Sequence, residues 1–300
     1  MILRTDRRSV LTGLGALGVA GCGPSPASEV DVTVFDLDLD LSALEARHGG
    51  RLGFCAHGPK GRVKWRGDER FVYCSTFKMY LAAATLERVQ RGEERLDRAI
   101  PVSAADMVSH APVTELAVGS TLTIEQLMKA VVEVSDNPAA NILIRELGGL
   151  DALRAWYRSI GDQSTTVDRL EPMMNRLDGD KDTITPVQSV ANISRLFISP
   201  STPLSDGSKE MLLRWMVDSP TGTDRIKAGV PAGWRVAHKT GTGGYGPTND
   251  IGLAYPPSGQ PVIIAAYFHG TSASTPEQRE AVIADATRMA LQALGHGAAA

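Results

Sequence analysis

Residues 74–78 read C-S-T-F-K, which places Lys78 three positions after Ser75. A serine hydroxyl becomes a useful nucleophile only when a neighbouring group takes its proton. Residues three apart on a helix share a face, so a serine in the first turn would have this lysine directly beneath it. A lysine can accept a proton only where burial or nearby charge keeps it neutral, or where it can pass the proton on. The stretch therefore asks for a buried helix starting near Ser75, met by polar residues from elsewhere in the chain. It also marks the point at which the sequence changes character.

Upstream of it, residues 41–47 are predicted as a helix. Residues 52–56 and 62–65 are predicted as strands, turned by H-G-P-K-G. Downstream, helical grammar holds as far as 217. Helices are predicted over 75–90, 124–134, 138–147, 150–160, 186–197 and 209–217, with prolines at first turns and glycines at ends. After Trp234 the pattern reverts to strands, at 234–240, 250–255 and 262–268, and P-P-S-G-Q-P at 256–261 joins the last two. Thr275-Pro276 opens a final helix with Gln278 placed for a capping box, and Val282, Ala286, Met289, Ala293 and Leu294 give its apolar face. The fold class expected is α/β (α+β): an antiparallel sheet flanked by helices, plus an all-helical lobe, with the site in the cleft between them. The α/β lobe is assigned to 41–70 and 223–300, and the helical lobe to 71–222. Residues 161–185 fit neither helix nor strand, and long irregular segments in compact domains are often functional.

The 300 residues are 43% hydrophobic and 22% charged, enough for one large domain or two packed lobes. A net charge of −3 gives no support for a nucleic-acid partner. Arg4, Arg7 and Arg8 precede an apolar run at 10–20 that is too short to span a bilayer. It reads as an export signal over 1–21, and Arg7-Arg8 before S-V-L resembles the twin-arginine type. V-A-G-C at 19–22 resembles a bacterial lipoprotein cleavage box. Cys22 would then carry a lipid that tethers the protein to a membrane without spanning it, the alternative being ordinary cleavage and a soluble exported protein. Residues 22–40 would form a linker and 41–300 the folded domain. Export permits a Cys55–Cys74 disulfide, but the preferred reading is two buried thiols. No cysteine pair has metal spacing, and neither a metal nor a cofactor is expected.

Beyond Ser75 and Lys78, two short motifs stand out. S-D-N-P at 135–138 lies between two predicted helices. Its residues serve as helix caps, or Ser135 relays a proton from Lys78 and Asn137 holds a substrate amide. K-T-G at 239–241 ends a predicted strand, where Lys239 would attract a carboxylate. Each motif alone is weak. In the order S-x-x-K, S-D-N, K-T-G they form the set shared by class A β-lactamases and penicillin-binding proteins. The chain resembles a class A serine β-lactamase from about residue 41 to 294.

The resemblance extends to the irregular segment, where D-R-L-E-P-M-M-N at 168–175 matches the family's Glu-x-x-x-Asn at Glu171 and Asn175. Penicillin-binding proteins lack that pair. The resemblance implies an α/β sheet with a helical lobe, and hydrolysis of β-lactam antibiotics, hence resistance. Ser75 would attack the lactam carbonyl, losing its proton through Lys78, through Glu171 and a water, or both. Ser135 would protonate the leaving nitrogen, and the backbone N–H groups of Ser75 and Thr242 would hold the oxyanion. Lys239, Thr240 and Thr242 would bind the substrate carboxylate, with Arg225 behind them. Glu171 and Asn175 would hold the deacylating water as acceptor and donor, and Arg169 would pair with Asp182. His110 stands where many relatives carry an aromatic residue at the cleft mouth. A β-lactam substrate, a periplasmic or cell-envelope location and a monomer are expected.

Other chemistries fit less well. The six histidines show no metal spacing and no G-x-S-x-G elbow, and each reads as structural or exposed rather than catalytic. Two G-x-G-x-x-G matches, at 13–18 and 241–246, do not open a helix after a strand, so neither supports dinucleotide binding. The runner-up enzyme is a D-Ala-D-Ala peptidase; outside enzymology it is a tethered penicilloyl sensor that acylates without turnover.

Overall fold

The run V-I-I-A-A-Y-F-H at 262–269 shows why the sheet lies where it does. Successive side chains on a strand face opposite ways, yet every residue of this run except the last is buried. Ile263, Ala265 and Tyr267 enter one apolar core, while Val262, Ile264, Ala266 and Phe268 enter another. A strand covered on both faces reads as a continuous apolar run, not an alternating one. The sheet is therefore the middle of three layers.

The computed structural model describes residues 35–296 except Tyr245; Arg4, Arg7, Arg8 and Cys22, read as parts of an export signal and a lipid attachment site, lie outside the described residues. In chain order the first elements are β1 (Asp36–Leu37), α1 (Ser42–His48), β2 (Arg51–Gly58), β3 (Gly61–Trp65) and β4 (Phe71–Val72). Next come α2 (Phe77–Gln90), β5 (Ala99–Pro101), β6 (Thr121–Thr123), α3 (Ile124–Glu133), α4 (Asn137–Leu147) and α5 (Leu150–Ser159). They are followed by β7 (Thr183–Ile184), α6 (Pro186–Phe197), α7 (Asp206–Asp218) and α8 (Ile226–Gly229). The chain closes with β8 (Arg235–Thr242), β9 (Pro247–Tyr255), β10 (Val262–His269) and α9 (Pro276–Ala293).

Among the described residues the main sheet runs β1-β3-β2-β10-β9-β8. It is antiparallel except at one edge, where β1 pairs parallel to β3, a departure from the all-antiparallel expectation. The two pieces β1 and β3 are separated by α1 and β2, so the chain reaches that edge in the same direction twice. One face of the sheet carries α1 and α9. The other merges into the helical layer through a single core that includes Tyr80, Leu127, Leu143, Trp215 and Tyr267. That layer also holds two short antiparallel strand pairs, β4 with β7 and β5 with β6. Helix α6 lies against β10, with Ser189 Oγ 2.9 Å from Tyr267 Oη.

Helix α2 is the axis of the helical layer. Every residue from Phe77 to Glu87 is buried, which is the pattern of a helix surrounded on all sides rather than lying on a surface. Its expected first turn is tighter than an α-helix: Cys74–Thr76 form a 3₁₀ turn. The predicted capping box at Thr275 and Gln278 is present. The apolar face of α9 is shifted from the expected one: Val282, Ile283, Ala286, Ala290, Leu291 and Leu294 are buried, Met289 is partly exposed and Ala293 exposed. The 3.6-residue period carries the stripe through 290 and 291 rather than 289 and 293.

Candidate active site

Ser75 sits at the junction of the 3₁₀ turn and α2, and Lys78 follows one turn on. Lys78 is fully buried beneath the serine, with Nζ 3.0 Å from Ser75 Oγ. The same Nζ lies 3.0 Å from Glu171 Oε1, 2.7 Å from the Ser135 carbonyl and 3.3 Å from Ser135 Oγ, and also meets Asn137 Oδ1. An ammonium has three protons, so these five oxygens compete for them and the proton has several places to go. Burial drives the Lys78 pKa below its ordinary value, against the opposing pull of Glu171 and then Asp136.

Ser135 and Asn137 reach Lys78 because of Asp136 between them. The Asp136 carboxylate is fully buried and caps α4 through the Ala139 N–H. It also accepts bonds from the N–H groups of Val113 and Thr114 and from the Thr114 hydroxyl, each at 2.9 Å. The capping reading of S-D-N-P is therefore correct for Asp136, and it is what aims Ser135 and Asn137 inward. Both ends of the Asn137 amide have protein partners, since Nδ2 donates to the Ser109 carbonyl at 2.8 Å. His110 follows that residue, exposed at the cleft edge with Nε2 2.9 Å from the Val134 carbonyl.

Glu171 arrives on the irregular segment. Its Oε1 lies 3.3 Å from Ser75 Oγ, and its backbone is clamped by Asn141, whose amide bonds both the N–H and the carbonyl of Glu171. Asn175 Nδ2 donates to Glu171 Oε2 and to the Pro172 carbonyl, leaving buried Oδ1 with no partner. The free polar atom of Asn175 is thus an acceptor and not the expected donor, because the neighbouring carboxylate dictates which way the amide turns. Arg169 Nε meets Asp182 Oδ2 at 2.6 Å, the expected pair. Asp182 also accepts from the N–H groups of Asp168 and Arg169 and from the Tyr73 hydroxyl. One buried carboxylate therefore ties the loop to the residue two before Ser75.

The opposite wall is β8. Gly241 allows it to close on the Ser75 turn: a Cβ there would lie 2.7 Å from the Tyr73 carbonyl. Lys239 is fully buried, and Nζ donates to the Thr240 carbonyl at 3.0 Å. Burial first, then Lys78 and Arg225, hold its pKa well below the ordinary value, while Asp250 and Glu171 pull the other way. Arg225 lies behind the strand, donating to the carbonyls of Gly241 and Asn249, to Thr242 Oγ1 at 2.9 Å and to Glu280 at 3.0 Å. Thr221, which sequence reasoning did not single out, joins this wall with Oγ1 2.9 Å from Thr240 Oγ1. The cleft of about 280 Å³ is lined by Ser75, Ser135, Asn137, Asn175, His110, Thr221, Arg225, Thr240 and Thr242. Cys55 and Cys74 are buried free thiols.

Residues 36–294 match the family described as the β-lactamase enzyme family. The chain belongs to that family. This β-lactamase is similar to β-lactamase L2 of Stenotrophomonas maltophilia, 38% identical with 91% of each chain covered. It is also similar to β-lactamase Toho-1 of Escherichia coli, 33% identical over 99% of this chain and 100% of that one. Among solved structures, an ancestral class A β-lactamase is 45% identical with a TM-score of 0.80, over 84% of this chain and 98% of its own. A β-lactamase from Xanthomonas campestris is 39% identical with a TM-score of 0.80, over 85% and 95%. The family type is that of the class A serine β-lactamases, the type of these relatives and solved structures.

Proposed function

We propose that this β-lactamase opens the ring of penicillin- and cephalosporin-type antibiotics through an acyl-enzyme on Ser75, and so confers resistance. The observation that carries the reading is the convergence of Lys78 Nζ and Glu171 Oε1 on Ser75 Oγ, at 3.0 and 3.3 Å. Ser75 Oγ attacks the lactam carbonyl carbon, and its proton leaves to Lys78 or, through a water, to Glu171. The N–H groups of Ser75 and Thr242 hold the oxyanion, a contribution of about 3 kcal/mol per donor. The tetrahedral species collapses with cleavage of the C–N bond, and Ser135 gives the nitrogen its proton, taking another from Lys78. A water between Glu171 and Asn175 then loses a proton to Glu171 and attacks the ester carbon. The C–O bond breaks, and the proton held by Glu171 passes to Ser75 Oγ, directly or through Lys78, which restores the hydroxyl and the carboxylate.

Lys239, Thr240 and Thr242 receive the substrate's carboxylate. Thr242 Oγ1 accepts from Arg225, which leaves its own O–H to donate toward the substrate. Residues 1–21 act as an export signal and Cys22 as a lipid attachment point, which the mass of the mature protein tests. The catalytic reading is tested with Glu171→Gln and a penicillin. Steady-state turnover is expected to drop about 10³-fold, with the penicilloyl mass accumulating on Ser75. A wild-type protein that itself stays acylated would make it a sensor and not a hydrolase.

A further inference from the structure

Three hydroxyls run in a line from the helical layer to the cleft wall, and the proposed reaction uses only the last of them. Ser219 follows α7, and its Oγ lies 3.0 Å from the carbonyl of Glu133, the last residue of α3. The final carbonyls of a helix have no partner within it, and a carbonyl has no proton, so Ser219 donates. Ser219 Oγ is in turn 3.0 Å from Thr221 Oγ1, and Thr221 Oγ1 is 2.9 Å from Thr240 Oγ1. Ser219 is buried behind the wall, while Thr221 and Thr240 line the cleft.

A hydroxyl has one proton to give, and that count fixes the direction of the line. The Ser219 proton is committed to Glu133, so the Ser219–Thr221 bond needs the Thr221 proton. The Thr221–Thr240 bond then needs the Thr240 proton. With the cleft empty, Thr240 donates to Thr221, Thr221 to Ser219 and Ser219 to Glu133, each bond strengthening the next. Thr240 Oγ1 therefore shows the cleft only lone pairs. Thr242 is set the other way, because its Oγ1 accepts from Arg225 at 2.9 Å and its own proton is free for the cleft. A carboxylate only accepts. It gains a bond from Thr240 only if that O–H swings into the cleft and the Thr221 O–H swings round to Thr240. The Ser219 and Thr221 oxygens, 3.0 Å apart, then face each other with no proton between them.

We propose that Ser219 and Thr221 are positioning residues that hold the Thr240 hydroxyl turned away from the substrate, so that carboxylate capture falls first to Lys239 and Thr242 and draws on Thr240 only by reversing the line. The inference rests on the carboxylate-binding reading of Lys239, Thr240 and Thr242. The reversal exchanges one neutral hydrogen bond for the new one to the carboxylate, which weakens capture about fivefold. Breaking the line at either end removes that cost. Without the Thr221 hydroxyl, Thr240 has no acceptor behind it and points its proton into the cleft. Without the Ser219 hydroxyl, Thr221 gives its proton to Thr240, and Thr240 again donates to the cleft. Because the carboxylate is held alike in the bound substrate and in the transition state, the gain falls on KM and not on kcat.

The test measures KM and kcat for a penicillin in wild type, Thr221→Val, Ser219→Ala, Thr240→Val and the double variant Thr221→Val/Thr240→Val. Thr221→Val and Ser219→Ala are each expected to lower KM about fivefold with kcat nearly unchanged. Thr240→Val is expected to raise KM about twofold in the wild-type background and about tenfold in the Thr221→Val background. Thr221→Ser keeps a hydroxyl in the line and should keep the wild-type KM. The inference is overturned if Thr221→Val leaves KM unchanged or raises it, or if Thr240→Val costs the same factor in both backgrounds, as merely structural roles would give. If Thr221→Val does not fold, Ser219→Ala carries the test from the other end of the line, and a KM that is not lowered there overturns the proposal. The methyl ester of the same penicillin separates the two readings. Equal KM values for acid and ester in the wild type would sink the carboxylate-binding reading, and this inference with it; a lower KM for the acid, without the gain in the variants, would sink this inference alone.

Discussion

The two walls of the cleft each bury a lysine, and the two lysines are housed in opposite ways. On the helical wall, Lys78 touches a carboxylate, two hydroxyls, a carbonyl and an amide oxygen. On the strand wall, Lys239 is hydrogen-bonded to a carbonyl, and its cationic neighbours Lys78 and Arg225 push against its charge. The first arrangement suits a group that gives and takes protons, because each state finds a partner. The second suits a receptor for an anion, because an incoming carboxylate relieves the crowding of positive charge. Identical side chains are thus given different tasks by what surrounds them.

Replacing each lysine in turn would break that comparison most sharply. Lys78→Met is expected to lower kcat/KM about 10²–10⁴-fold, mainly through kcat, with slow appearance of the acyl-enzyme in a stopped-flow and mass experiment. Lys239→Met is expected to raise KM about 10- to 100-fold with a smaller change in kcat. If the two variants lose the same kinetic constant by similar factors, the division of labour is wrong.

The difference between the walls was only partly legible in the sequence. Ser75, Lys78, Ser135, Asn137 and Lys239 lie in short motifs whose order is informative, and helix spacing alone puts Lys78 under Ser75. The three-layer sheet was visible in runs such as 262–268, whose apolar continuity signals cover on both faces. What escaped was whatever depends on a partner distant in the chain. The outward atom of Asn175 is fixed by Glu171 claiming its amide nitrogen. Thr221 carries no chemical signature until Thr240 is brought opposite it. His238 and Asp250 are 12 residues apart, and only the β8–β9 register makes them neighbours. The drift of the α9 face by one position is smaller in kind, a matter of following a 3.6-residue period over five turns.

The loop carrying Glu171 gives the next test, because its hydrogen bonds to Asn141 and to Tyr73 tie it to the helical wall. Asp182 is fully buried and holds Arg169, two loop N–H groups and the Tyr73 hydroxyl. Asp182→Ala removes the buried acceptor of Arg169 Nε and of two loop N–H groups, leaving Arg169 only the more distant Asp178, and is expected to cost about 3 kcal/mol in urea unfolding. Because Tyr73 lies two residues before Ser75, kcat should fall more than KM rises. A variant with wild-type stability and unchanged kcat would show that the loop is held by other contacts.

Another base, outside the cleft and only partly buried, shows the cost of desolvation without any catalytic return. His269 ends β10, packs edge-on against Phe71 with centroids 5.0 Å apart, and has a buried Nε2 without a partner. Burial, and then Arg51, lower its pKa from 6.5 to about 4, against a hydrogen bond with the Val72 backbone. Between those values the unfolded chain binds a proton that the folded one refuses, so stability rises with pH. The contribution is intact above 6.5, declines as pH falls toward about 4 and is constant below, a total of up to about 3 kcal/mol. Urea unfolding of wild type and His269→Gln across that window isolates it, since carboxylate titrations are common to both. The two curves should converge from the wild-type-favoured side as pH falls; curves that stay parallel would mean that His269 is protonated in the fold and that burial alone does not suppress a charge here. That outcome would also weaken the same argument for the two lysines of the cleft, for which burial is the first cause of the lowered pKa.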